Sequence, residues 1–284
     1  MWPVVVMCRV LDVSTSAFYA WVGTPVRGGS DDQLLRVHIR AIHRQSRETY
    51  GSPRIVAELR EQGLRVSRKR VARLMREEGV AGLPAKRAFR VATTDSDHED
   101  PIADNVLQRN FEATRPNEAW VGDITYLRTA AGFAYLAVII DLHSRRVVGW
   151  AVRDHMRTSL VQEALQRAVA LRNPPPGLVH HTDRGSQYAS AAYRRDLQRI
   201  DAIPSMSRKG DCWDNAVSES FFGTLEQELA GRSPNWADAE AADAAVVDYI
   251  VSFYNQTRRH KTLGQVSPAT FEAYWAESHT RAAA

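Results

Sequence analysis

Apolar and polar residues recur along this chain with two different periods, and the change of period divides it. Near the N-terminus the spacing is helical. Ile55, Val56 and Leu59 stand at i, i+1 and i+4, which predicts a helix over 53–63 stopped by Gly63. Ser67 can cap a second helix over 67–79, with Val71, Leu74 and Met75 as its apolar stripe and Gly79 at its end. Two short helices joined by the turn Gly63 to Val66 form a helix-turn-helix pattern. A shorter pair, Val6 to Leu11 and Ser16 to Trp21 around the turn Asp12 to Thr15, precedes it.

The pattern then becomes that of strands. Trp120 to Arg128 is rich in β-branched and aromatic residues, and Ala130 to Gly132 is a turn signal. Phe133 to Asp141 is a continuous apolar run, as in a strand buried on both faces, and Arg146 to Val152 follows after His143 and Ser144. These three predict an antiparallel meander. A helix over Ser159 to Leu171 ends at the segment Asn173 to Gly177; Leu178 to His181 is a short strand, and Ser190 to Ile200 is helical. Beyond Asp214 the chain reads mostly as helix. The order β-β-β-α-β-α predicts an α/β layout, one mixed sheet with flanking helices, preceded by a small all-α region.

Composition narrows the class. The 284 residues are 44% hydrophobic and 25% charged, enough for a packed core and wrong for a disordered chain. With only Cys8 and Cys212 there is no disulfide framework, so a reducing, cytoplasmic compartment is expected. The longest apolar run, Phe133 to Ile140, is eight residues, well short of the roughly 20 of a membrane span.

Charge changes the picture more. Residues 1–90 hold 17 Lys and Arg against 8 Asp and Glu, whereas residues 91–284 hold 20 against 25. Such asymmetry fits a basic nucleic-acid-binding arm as well as it fits a solvated charged face. Arg68, Lys69, Arg70, Arg73 and Arg76 lie on the second helix of the pair, several of them away from its apolar stripe, where they can meet phosphate or base edges. Residues 91–104 contain five acids, no Lys or Arg, and a proline, which reads as an exposed linker; the acidic linker is bounded at 91–112.

Three acids carry candidate chemistry. Asp123 lies inside the first strand and shares the face of Val121 and Thr125; a carboxylate there is costly unless paired or metal-bound. Asp183 directly follows the Leu178 to His181 strand, where parallel strands deliver ligand-binding residues. Glu219 sits at the margin of a helical stripe of Val217, Phe221, Phe222, Leu225 and Leu229, with 35 residues between it and Asp183. Acids from three distant segments suit two hard divalent ions, Mg²⁺ or Mn²⁺, acting on a phosphodiester. No Cys or His spacing supports zinc, and His180 and His181 read first as strand packing. Taken alone, Asp183 reads also as a plain turn residue and Glu219 as a helix-surface acid.

The motifs around these acids resemble the OrfB-type transposases of bacterial insertion sequences, within the retroviral-integrase (DDE) superfamily. The matching stretches are Pro116 to Tyr126, Tyr135 to Arg145, His181 to Tyr188, Gly210 to Phe222, and Tyr254 to Leu263 with Pro268 beyond. Tyr50 to Ile55 and Arg73 to Arg76 resemble the N-terminal helix-turn-helix segment of that family. The resemblance implies a ribonuclease-H-like catalytic domain over 113–275 with a C-terminal helical extension, a helical DNA-binding region over 1–90, and a tail over 276–284. It further implies that Asp123, Asp183 and Glu219 are catalytic and bind metal, two ions in all. The implied reaction cuts transposon ends and joins their 3′-hydroxyls to target DNA, with DNA, an OrfA product or OrfA–OrfB fusion, and further copies of the chain as partners. Asp141 matches a frequent acid of that family outside the triad and is expected either to be structural or to support the site from behind its ligands. Arg258 and Arg259, with Asn255 and His260, are expected either to contact DNA or to pack the end helix. Glu226 stands seven residues after Glu219, where many such relatives carry Lys. A non-catalytic helix-turn-helix regulator and a decayed transposase remnant are the competing readings.

Overall fold

The computed structural model describes residues 3–22, 30–84, 98–208, 212–230 and 236–283. The chain forms two compact units, Met1–Gly82 and Leu83–Ala284.

The first unit is helical: α1 (Val4–Val10), α2 (Thr15–Val22), α3 (Ser30–Gln45), α4 (Ser52–Glu61) and α5 (Arg68–Glu77). The caps act as the sequence requires. Ser67 Oγ accepts the backbone N–H of Arg70, and Gly63 and Gly79 take positive φ (80° and 66°) just past the ends of α4 and α5. Ile55, Leu59, Val71 and Leu74 are fully buried, each contributing about 1.5–3 kcal/mol. Helix α3, absent from the expected elements, buries Leu35, Ile39 and Ile42 on one face against α4 and α5. Its buried Asp32 holds α5 by two arginines: Arg70 Nε donates to Oδ1 at 2.7 Å and Arg73 Nη2 to Oδ2 at 2.8 Å.

The second unit is built on a five-stranded sheet: β1 (Ala119–Thr129), β2 (Gly132–Asp141), β3 (Val147–Arg153), β4 (Val179–Thr182) and β5 (Ile203–Met206), in the order β3-β2-β1-β4-β5. The first three strands are the expected antiparallel meander, and β4 and β5 add parallel to β1. Strand β5 is absent from the expected order and contains Pro204. At the sheet edge that proline costs no interior ladder bond.

Helix α6 (Thr158–Arg172) and helix α8 (Ala191–Arg199), preceded by the short α7 (Ser186–Ala189), build the main core with Trp120, Ile124 and Ile139. Helices α9 (Ala216–Leu225) and α10 (Ala239–Asp248) also lie on the sheet, α9 against β1. The even-numbered β1 residues Trp120 and Ile124 belong to the α6 and α8 core, so alternation turns Val121 and Asp123 to the opposite face. Helix α11 (Pro268–Ala283) closes the chain, so residues 276–283, expected as a tail, are helical.

Residues 98–112 differ from a plain linker: they are bonded to the second unit. Ser205 Oγ accepts the N–H groups of Val106 and Leu107 at 3.0 and 3.2 Å, and Leu107 is buried. The remainder of the expected linker, 91–97, lies outside the described residues. No helix among the described residues is long and apolar enough to cross a membrane.

Candidate active site

Three elements deliver the three acids. Asp123 lies mid-strand in β1 opposite Val138 of β2, half-buried. The N–H of Ile124 donates to its Oδ1 at 2.8 Å, which fixes the carboxylate close to its own backbone. Asp183 follows the last residue of β4 and is held in the same way, its Oδ1 accepting the Gly185 N–H at 3.0 Å. Glu219 stands in the first turn of α9, the helix packed on β1.

Electrostatics ties these acids together. The Asp123 carboxyl is pushed well above the ordinary carboxylate range, first by burial, then by the charges of Asp183 and Glu219; the Ile124 N–H opposes the shift. Asp123 therefore feels both partners, although Asp183 and Glu219 are distant from it in sequence. Among the described residues, no group of three or more His, Cys, Asp or Glu side chains closes around one metal position. The donor chemistry nevertheless fits a hard divalent cation. All three groups offer carboxylate oxygen, and their mutual repulsion is the kind a positive ion relieves.

The histidines are structural, as expected from their place in a strand. His180 Nε2 is bonded to Tyr193 Oη at 2.8 Å, and burial, with His181 adding to it, pushes its pKa down to about 3. His181 Nδ1 lies 2.8 Å from Ser205 Oγ. Asp141 is buried too. It accepts the N–H groups of Asn117, His143 and Ser144, a turn-holding role on the β2–β3 connection.

Asp214 lies within the matching stretch Gly210 to Phe222. It is fully buried and is held well below the usual carboxylate range, first by the Arg208 guanidinium, with Arg109 adding to it against the cost of burial. Asn105 also donates to it, at 2.9 Å. The Gly210–Asp211 part of that motif lies outside the described residues. The apolar stripe after Glu219 buries Phe221 and Leu225, but it gives out at the π turn Glu226–Ala230. There Leu229 is only half-buried and Glu228 is buried. Glu226, at the start of that turn, is exposed.

The candidate DNA-contacting cations divide into two sets. Arg68, Lys69 and Arg76 of α5 are exposed, whereas Arg70 and Arg73 are half-buried and spent on Asp32. Arg258 and Arg259 are buried. Arg258 Nε donates to Glu228 Oε2 at 2.7 Å and Arg259 Nη1 to the Gln265 carbonyl at 2.6 Å, so their guanidiniums are committed inside the chain. Packing is the one of their two expected roles that this geometry describes.

A mixed sheet with one carboxylate inside its central strand, a second just past the neighbouring parallel strand and a third on a helix packed against it belongs to the integrase-core class, and family profiles agree. The "Integrase core domain" profile matches residues 113–212, a second profile of that description matches 201–268, and an "HTH-like domain" profile matches 30–88. The chain is 42% identical over 266 residues to the "Insertion element IS600 uncharacterized 31 kDa protein" of Shigella sonnei, covering 93% of this chain and 97% of that one. It is 42% identical over 270 residues to "Transposase InsF for insertion sequence IS3A" of Escherichia coli (strain K12), covering 94% and 92%. Among solved structures it is similar to the HTLV-2 integrase catalytic core domain in complex with magnesium, at 19% identity and TM-score 0.44, over 57% of this chain and 99% of that one. The chain belongs to the IS3-type insertion-sequence transposases, with an integrase catalytic core and an HTH-like segment.

Proposed function

We propose that the chain cuts DNA at transposon ends and joins the resulting 3′-hydroxyls to target DNA, with Asp123, Asp183 and Glu219 as its catalytic, metal-holding carboxylates. The observation that carries this reading is geometric: the parallel pairing of Val121 with His181 sets Asp123 and Asp183 at one level of the sheet, and α9, packed on β1, carries Glu219 in its first turn. Bound Mg²⁺ or Mn²⁺ would supply phosphate neutralisation, activation of the attacking hydroxyl and stabilisation of the leaving oxygen. The protein's own part is placement. Backbone N–H groups hold one oxygen of Asp123 and one of Asp183, and the first turn of α9 presents Glu219. The exposed Arg68 and Lys69 of α5 meet phosphate, while Arg70 and Arg73, tied to Asp32, keep α5 in place on α3. Two transposon ends require more than one copy of the chain on DNA, and an OrfA product or fusion is the further partner.

The test is a strand-transfer assay with the full chain, alone and fused to OrfA, on DNA carrying the element's ends plus a target, in Mg²⁺ or Mn²⁺. Asp183→Asn and Glu219→Gln should abolish joined product. Product equal to wild type from either variant overturns the reading.

A further inference from the structure

Helix α9 carries Glu219, and a buried carboxylate ties it into the second unit near each end. At its start, Asp214 lies five residues before Glu219, in the 3₁₀ turn Cys212–Asn215 that runs straight into the helix. Its Oδ1 accepts Arg109 Nε and Arg208 Nη2, both at 2.7 Å. Its Oδ2 accepts Asn105 Nδ2 at 2.9 Å, the Arg208 backbone N–H at 2.9 Å and Arg208 Nε at 3.0 Å. The donors lie on residues 98–112 and on the stretch after β5, so one carboxylate joins three separate lengths of chain. Arg109 and Arg208 keep 43% and 53% of their side-chain surface exposed while Asp214 has none, which places the anchor beneath its partners.

The same 98–112 segment reaches the other acid. His98 Nε2 lies 2.8 Å from the carbonyl oxygen of Arg184, the residue after Asp183. Beyond the far end of α9, Glu228 is nine residues after Glu219, in the π turn. Its Oε2 accepts Tyr249 Oη at 2.8 Å and Arg258 Nε at 2.7 Å, all three groups buried. Directional bonds to buried charges admit one register. The Glu228–Arg258 pair is buried on both sides, and such a pair adds little to stability over an apolar replacement, so a specifying role accounts for it better than a stabilising one.

We infer that Asp214 and Glu228, with Arg109, Arg208 and Arg258 as their partners, are positioning residues that fix α9 so that Glu219 faces Asp123 and Asp183. This rests on the carboxylate assignment of the preceding subsection.

The experiment uses the full chain. Mn²⁺ affinity is read by electron paramagnetic resonance of free Mn²⁺, kcat and KM for end DNA by strand transfer, and folding by thermal melting. Asp214→Asn and Glu228→Gln should weaken Mn²⁺ binding and lower kcat by about 10-fold or more, the range in which groups that orient metal ligands act. KM for DNA should stay at the wild-type value. The double exchange Glu228→Arg with Arg258→Glu should recover part of the loss. Glu219→Gln is the reference. If it loses Mn²⁺ while Asp214→Asn and Glu228→Gln keep wild-type affinity and kcat, the positioning inference alone is overturned. If Glu219→Gln itself binds Mn²⁺ as wild type does, both readings fall. Arg109→Gln retains the buried carboxylate and carries the same expectation, so a misfolded Asp214→Asn protein leaves the test intact.

Discussion

Asp123 and Asp183 each lie two residues beyond the same parallel pairing, Val121 of β1 opposite His181 of β4. Period-two alternation puts Asp123 on the face of Val121, and Asp183, one residue past the end of β4, stands at the same level along the strands. Helix α9 packs against β1 and carries Glu219 in its first turn. A divalent ion that binds this trio binds the native state and not the unfolded chain. Mg²⁺ should therefore raise the melting temperature of the wild type. At a hundred times the dissociation constant the gain is about 2.7 kcal/mol. Asp183→Asn should remove most of that shift, as read by calorimetry with and without Mg²⁺; an undiminished shift would place the ion elsewhere.

In metal-free buffer the same charges work against the fold. The native Asp123 carboxyl titrates above its unfolded value, so the native state holds a proton that the unfolded chain has released. The stability from this group is fully present below the ordinary carboxylate pKa. It is lost as pH rises through the raised native value. Asp123→Asn should abolish that loss, making the variant more stable than wild type at neutral pH without metal and insensitive to pH on this account. Melting both proteins across acid to neutral pH checks it, and parallel curves would sink the claim.

The sheet was legible because its signals are local. The run Phe133 to Asp141, the turn at Gly132 and the alternation around Asp123 each specify a strand without outside help. Strand β5 was not legible, since Pro204 marks a break to a reader who does not know the strand lies at an edge. Helix α3 went unread although Leu35, Ile39 and Ile42 recur at helical spacing. The three acids were legible through their motifs. Their supports were not, because Asp214 and Glu228 look like surface acids until Arg109 and Arg258 reach them from 105 and 30 positions away in sequence, Arg208 joining at Asp214 from six positions away. Charge composition likewise ranked all basic residues of α5 alike, and only the fold separates Lys69 from Arg70.

Asp32 gives one consequence of that separation. It is buried, and the side chains of Arg73 and then Arg70 hold it below the ordinary carboxylate range. Its contribution is present above the unfolded carboxylate pKa and is lost as pH falls through the lowered native value. Asp32→Asn should lower the unfolding free energy by about 1–3 kcal/mol at neutral pH, the range for hydrogen bonds to charged groups. Denaturant titration of the full chain checks this, and a difference that persists unchanged into strong acid would contradict the pairing.

Helix α6 sits so close to β3 that residue 149 has no room for a side chain. A Cβ on Gly149 would fall 2.2 Å from the Ala164 carbonyl oxygen and 2.8 Å from Ala168 Cβ. The obstruction at Ala164 is helix backbone, which cannot swing aside as a flexible side chain does. Gly149→Ala should therefore destabilise the second unit by about 1–3 kcal/mol or more, the cost of overpacking a filled core. A variant melting within error of wild type would mean that α6 can lift off the sheet freely.

The buried and exposed arginines should part company in DNA binding. Lys69 and Arg76 are exposed on α5, while Arg258 is buried against Glu228. Each phosphate contact contributes close to one unit of slope in a plot of log affinity against log salt. Lys69→Ala and Arg76→Ala should thus reduce that slope by about one unit each and weaken binding across sequences, with melting unchanged. Arg258→Ala should leave the slope alone and instead cost about 3–5 kcal/mol of stability, because it strands the Glu228 charge in the interior. Fluorescence anisotropy over a salt series, paired with melting curves, separates the two effects. A reduced slope for Arg258→Ala in a fully folded protein would return that residue to the DNA interface.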